Sequence, residues 1–99
     1  MRRLGGLQID LARQEVLVDG DRVHLTLSEF KVLALLAEQP DSPVSRRELM
    51  QHLWASEHVG DEHACEVHIS NLRRKIEADP SRPQRLVTVR GLGYKLVAA

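Results

Sequence analysis

The chain has 99 residues, of which 42% are apolar and 28% charged, and its 14 Lys plus Arg are matched by 14 Asp plus Glu. That length sets aside a second independent core, and that balance excludes a disordered chain. The longest apolar run, Val32 to Ala37, is far too short for a membrane span, and the single cysteine, Cys65, excludes a disulfide scaffold or a four-cysteine zinc site and fits a reducing, cytoplasmic setting.

Zero net charge conceals an uneven distribution. Residues 1–67 carry 7 basic and 12 acidic side chains. Residues 68–99 carry 7 basic ones (Arg73, Arg74, Lys75, Arg82, Arg85, Arg90, Lys95) and 2 acidic ones (Glu77, Asp79). An acidic body with a basic end points to a polyanionic partner at that end.

In chain order, Leu7-Gln8-Ile9-Asp10-Leu11 alternates apolar and polar, the mark of a half-buried strand. Glu15 to Val18 and Arg22 to Leu25 flank the turn signal Asp19-Gly20-Asp21 and predict a hairpin, so the N-terminus is expected to be a small antiparallel sheet. Two capping boxes follow. Thr26-Leu27-Ser28-Glu29 opens a helix with the apolar stripe Phe30, Leu33, Ala34 and Ala37, which stops before Pro40 and Pro43. Ser45-Arg46-Arg47-Glu48 opens a short second helix carrying Leu49, Met50, Leu53 and Trp54 on one face. Ala55 to Gly60 is loop. A third helix is expected from about Asp61 to Ala78, with acids at its start, cations toward its end and Asp79-Pro80 as its stop. Leu86 to Arg90 and Tyr94 to Val97 then form a hairpin about Gly91-Leu92-Gly93, whose glycines read as plain turn chemistry. Strands, three helices and a closing hairpin make an α+β chain in the order of a winged helix-turn-helix.

At about 100° per residue, Cys65, Ile69, Leu72 and Ile76 share one face of the third helix and predict its core side. The opposite face carries His63, Val67, Ser70, Asn71 and Arg74, with Ala64, His68 and Arg73 at its flanks. Short hydrogen-bonding groups with arginine and one apolar residue suit a major groove: Asn pairs bidentately with adenine, Arg reaches guanine or phosphate, and Val or Ala touches a thymine methyl. A merely solvated face more often carries Glu and Lys. Arg90, at the strand end beside the turn, is placed to enter a minor groove, while Thr88, Tyr94 and Lys95 are candidate phosphate contacts. A half-buried hairpin aromatic is an equal reading of Tyr94.

The stretches Leu25-Thr26-Leu27-Ser28-Glu29-Phe30, Ser45-Arg46-Arg47-Glu48-Leu49, Val67-His68-Ile69-Ser70-Asn71-Leu72-Arg73-Arg74-Lys75-Ile76 and Thr88-Val89-Arg90-Gly91-Leu92-Gly93-Tyr94 resemble the OmpR/PhoB-type effector domain of bacterial two-component response regulators. The resemblance spans essentially the whole chain. It implies a winged helix with a four-stranded N-terminal sheet, a three-helix bundle and a hairpin wing, forming one effector domain over residues 1–99. It implies sequence-specific binding of double-stranded DNA in transcription regulation. In this resemblance Ala64, Val67 and Asn71 match base-facing positions, and Arg90 matches the residue that enters the minor groove. Trp54, His68, Arg73, Thr88 and Tyr94 match backbone contacts. The candidate set is completed from the helix faces and the hairpin by Arg74 on bases and by His63, Ser70 and Lys95 on the backbone. The loop Ser56, Glu57, His58, Val59 and Gly60 matches the region where activators of the family touch RNA polymerase. Family members usually carry an N-terminal receiver domain with a phosphorylatable aspartate, so the chain is expected to be a C-terminal half lacking it. Tandem copies on direct repeats are also implied. The sequence departs from the family at His63-Ala64, where many members have Arg-Thr, and at Asn71, often an arginine.

Other classes are weighed against this. A winged-helix protein-interaction module would favour an acidic recognition face or a wing without cations, and the sequence has neither. His58, His63, Cys65 and His68 cluster, but only Cys65 and His68 stand one helical turn apart, too few ligands for a closed metal site. There is no phosphate-cradling glycine loop, nucleophile elbow or carboxylate pair to support catalysis, and no cofactor is expected. Glu29 and Glu48 read as capping residues.

Overall fold

The computed structural model describes residues 1–53 and 62–99, and within these the side chains of all but Leu53, Glu62, His63 and Ala64. Trp54 and the expected polymerase-facing loop Ser56, Glu57, His58, Val59 and Gly60 lie outside the described residues, as do the side chains of His63 and Ala64.

Four strands, β1 (Arg2–Leu4), β2 (Leu7–Asp10), β3 (Glu15–Val18) and β4 (Asp21–Val23), form an antiparallel meander in that order. The register Leu7↔Val18, Ile9↔Val16 and Val16↔Val23 brings the apolar positions to one face, and Leu7, Ile9 and Val16 are fully buried there. The sequence pattern finds β2, β3 and β4 but not β1, whose three residues hold one apolar side chain. What secures β1 is backbone pairing to β2 and the Arg2 guanidinium, which donates to the Ala37 carbonyl at 3.0 Å. A cation at that helix end is favourably placed against the dipole. The strand expected to reach Leu25 ends at Val23, and Leu25 packs partly buried against the core.

Helix α1 (Leu27–Glu38) starts at a complete capping box. Thr26 Oγ1 accepts from the Glu29 N–H at 3.2 Å, and Glu29 Oε1 accepts from the Thr26 N–H at 2.9 Å. Helix α2 (Arg46–Leu53) has half of one: Ser45 Oγ accepts from the Glu48 N–H at 3.1 Å, but the Glu48 carboxylate takes the Ser45 hydroxyl, at 3.4 Å, rather than its backbone. Helix α3 (Glu62–Ile76) buries Cys65, Ile69, Leu72 and Ile76, the stripe expected from spacing. These meet Phe30, Leu33, Leu36 and Ala37 of α1 and Leu49 and Met50 of α2 in one aliphatic core.

The C-terminal hairpin, β5 (Leu86–Val89) and β6 (Gly93–Leu96), covers that core with Leu86, Tyr94 and Leu96. Arg90 and Gly91 are the middle of a turn closed by the Leu92 N–H on the Val89 carbonyl (2.9 Å), and Gly91 has the positive φ, +78°, that its position in such a turn demands. Gly93 corrects the expectation of plain turn chemistry. It is the first residue of β6, has φ +147°, and a Cβ there would sit 2.1 Å from the Val44 carbonyl oxygen. Its missing side chain lets the segment before α2 join the hairpin, where Val44 and Tyr94 exchange both backbone hydrogen bonds (2.7 and 3.0 Å). The wing is thereby braced against the helix-turn-helix.

Candidate nucleic-acid interface

With its stripe of four residues turned inward, α3 presents the opposite side to solvent. Val67 is 43% exposed, Ser70 and Arg74 are exposed, and His68, Asn71 and Arg73 are half-buried at the margins. Arg74 lies back along the helix, its Nη2 3.5 Å from Ser70 Oγ one turn earlier. Val67, Ser70, Asn71 and Arg74 thus come together on one outward face, as their spacing predicts.

Arg73 joins this face to the wing. Its Nε donates to the Leu86 carbonyl at 3.0 Å and its Nη2 to Thr88 Oγ1 at 2.9 Å, while its guanidinium lies 5.7 Å from the centroid of the Tyr94 ring. Arg46 lies at the same 5.7 Å from that ring and pairs with Glu66 of α3 at 3.4 Å. Tyr94 itself is only 4% exposed. This burial fits the hairpin-aromatic reading, with the ring as the plate on which two guanidiniums rest, and leaves the reading as a backbone contact standing beside it. The Tyr94 phenol, chiefly by side-chain hydrogen bonding, raises the Arg46 pKa above its already high ordinary value. The fork of each arginine is held by these contacts, which restrict its side-chain freedom.

Reasoning from sequence missed Arg46. The signal was present: Arg46-Arg47 open α2, where the helix dipole disfavours cations, so basic residues there need another purpose.

Three cations counted with the basic end are engaged elsewhere. Lys95 was expected on the DNA backbone, but strand alternation puts it on the opposite hairpin face from Thr88 and Tyr94, where it pairs with Asp41 at 3.1 Å. The structure does not bring it to the α3 face. Lys75 pairs with Glu29 at 2.6 Å. Burial pushes the Glu29 carboxyl up, but hydrogen bonds from Lys75 and Thr26 and the Lys75 charge outweigh it, and its pKa falls below the ordinary value. Arg85 is 8% exposed; its Nη1 donates to the Ile76 carbonyl at the end of α3 (2.6 Å) and its Nη2 to Asp19 (2.9 Å). Arg90, by contrast, is exposed at the wing tip, with no carboxylate partner among the described residues. Cys65 lies at 0% exposure on the core stripe, and no three His, Cys, Asp or Glu side chains among the described residues come together to hold a metal. No helix of the described residues is long and apolar enough to cross a membrane.

Comparison with known proteins places this arrangement. Residues 20–96 match the family described as "Transcriptional regulatory protein, C terminal". The sensory transduction protein RegX3 of Mycobacterium tuberculosis is 45% identical over 92 residues, covering 93% of this chain and 40% of RegX3. The transcriptional regulatory protein KdpE of the same species is 40% identical over 90 residues, covering 91% of this chain and 40% of KdpE. The chain therefore spans about two-fifths of the length of these relatives. Among solved structures, the Thermotoga maritima response regulator DrrB, an OmpR/PhoB homologue, superposes with a TM-score of 0.90 at 33% identity over 98% of this chain and 44% of its own. The Klebsiella pneumoniae RstA DNA-binding domain, solved in complex with the RstA box, gives 0.85 at 30% identity over 97% of this chain and 95% of its own. By sequence and by fold, the chain belongs to the family of transcriptional regulatory protein C-terminal domains and has the winged-helix architecture of the OmpR/PhoB-type response regulators.

Proposed function

We propose that this chain binds double-stranded DNA sequence-specifically as the output domain of a two-component response regulator. Helix α3 lies in a major groove with Val67, Asn71 and Arg74 toward bases, as does Ala64 on the same helix. Arg90 enters the adjacent minor groove. Arg73, Thr88, Ser70 and His68 hold the sugar-phosphate backbone, joined by His63 and Trp54 and by Arg46 on its Tyr94 plate. The loop Ser56 to Gly60 meets RNA polymerase, a receiver domain governs the whole protein in the cytoplasm, and two copies occupy direct-repeat half-sites. The observation that carries the reading is the pair of Arg73 bonds to Leu86 and Thr88, which set a polar outer helix face beside an arginine-tipped wing.

Selection of bound duplexes from a random pool, followed by fluorescence anisotropy across several salt concentrations, tests it. Arg73→Ala and Arg90→Ala should each weaken binding to the selected duplex, and Arg73→Ala should reduce the slope of log affinity against log salt by about 0.9. Unchanged affinity in both variants would overturn the docking. Asn71→Ala should cost about 1–3 kcal/mol at one base pair, with little effect on random DNA.

A further inference from the structure

Turn tips favour Gly, Asn, Asp and Ser, yet the wing tip carries Leu92, 61% exposed and more so than Leu27 or Leu11. The side chain is held out. The Leu92 N–H is fixed on the Val89 carbonyl, a Cβ at neighbouring Gly91 would meet nothing within 4 Å, and the tip end of the hairpin is anchored two residues on by the Val44–Tyr94 hydrogen bonds. The leucine stands off the core, and the Val44–Tyr94 bonds hold the backbone beside it in place. In the same turn Arg90 is exposed, with no carboxylate partner among the described residues. A surface that covers both must offer strong negative potential and apolar carbon side by side. The minor groove of a duplex does: its potential attracts arginine, and its walls are deoxyribose carbons.

We infer that Leu92 is a second contact of the wing, packing on the deoxyribose wall of the minor groove that Arg90 enters. This rests on the DNA-binding reading. The contact adds affinity by burying apolar surface, without neutralising a phosphate, so it weakens with truncation but leaves the salt dependence intact.

The test is anisotropy on the selected duplex with the whole chain and the variants Leu92→Ser, Leu92→Asn, Leu92→Met and Arg90→Ala. Leu92→Ser should bind about three- to tenfold more weakly at fixed salt, with the native salt slope and the native thermal midpoint, and Leu92→Met should bind within about twofold of the native chain. Leu92→Asn, a residue suited to turns, should reproduce the loss if serine loosens the hairpin. Native affinity in both polar variants, or a loss accompanied by a lower salt slope, would overturn the inference while leaving the DNA reading standing. Failure of the native chain to bind any duplex would overturn both.

Discussion

The N-terminal sheet and the C-terminal hairpin are both small antiparallel sheets on one core, but they treat their cations differently. In the sheet Arg22 closes on Glu15 at 2.7 Å across the β3–β4 pair, and Arg2 closes on the last turn of α1. From α3 onward they divide: Lys75, Arg85 and Lys95 find carboxylates, Arg73 locks helix to wing, and Arg74 and Arg90 face outward. The surplus of positive charge after residue 67 overstates how many cations are left to face a partner, because Lys75, Arg85 and Lys95 are paired within the fold. Whether a carbonyl or carboxylate lies within reach decides what each cation does, and that is a property of the fold.

The sharpest way to break the contrast is at Gly93, where the wing turn enters β6. Gly93→Ala puts a methyl group against the Val44 carbonyl and forces a side-chain-bearing residue to a positive φ. The backbone strain alone is about 1–3 kcal/mol, and the clash adds to it. Denaturant melts should show a loss above that range, whereas the same substitution at Gly91, where a Cβ meets nothing, should cost only the strain.

Next come the two kinds of arginine. Arg85→Met leaves the Ile76 carbonyl without its charged donor and should destabilise by about 2–3 kcal/mol. The Asp19 ion pair contributes little of this, because that carboxylate is 66% exposed. Arg74→Ala should stay within about 0.5 kcal/mol of the native stability while losing duplex affinity. Equal stability losses in the two variants would show that Arg85 is no more a part of the fold than Arg74.

The smallest effect belongs to Glu29 and Lys75. Because the folded pKa of Glu29 lies below the ordinary 4.5, its contribution is complete above that value and is lost as pH falls through the lower folded one. Glu29→Gln should cost about 1 kcal/mol at neutral pH and flatten the acid limb of a stability–pH curve. An acid limb identical to the native one would remove the pair from the account.

What the sequence made legible was local. The Thr26–Glu29 box, the Cys65-Ile69-Leu72-Ile76 stripe and the Asp19-Gly20 turn each depend on residues a few positions apart, and each formed where the pattern put it. The outward face of α3 followed from the same period. What stayed hidden involved partners far along the chain: Arg85 reaching Asp19, Val44 adding itself to β6, and Arg46 and Arg73 both meeting the Tyr94 ring. Glycine at position 93 looks like turn chemistry until the neighbour that crowds it, 49 positions earlier, is known.

The two bonds from Arg73 to β5 have a geometric corollary. In the proposed docking they make α3 and the wing a caliper of fixed gape, with one jaw for each groove. On duplex DNA, inserting one base pair between the two points of contact moves them apart by about 3.4 Å, and the jaws do not follow. A site with the right bases at the wrong phase then engages one jaw at a time. Under that docking, discrimination of phase along the duplex would come from an arginine that need not touch a base.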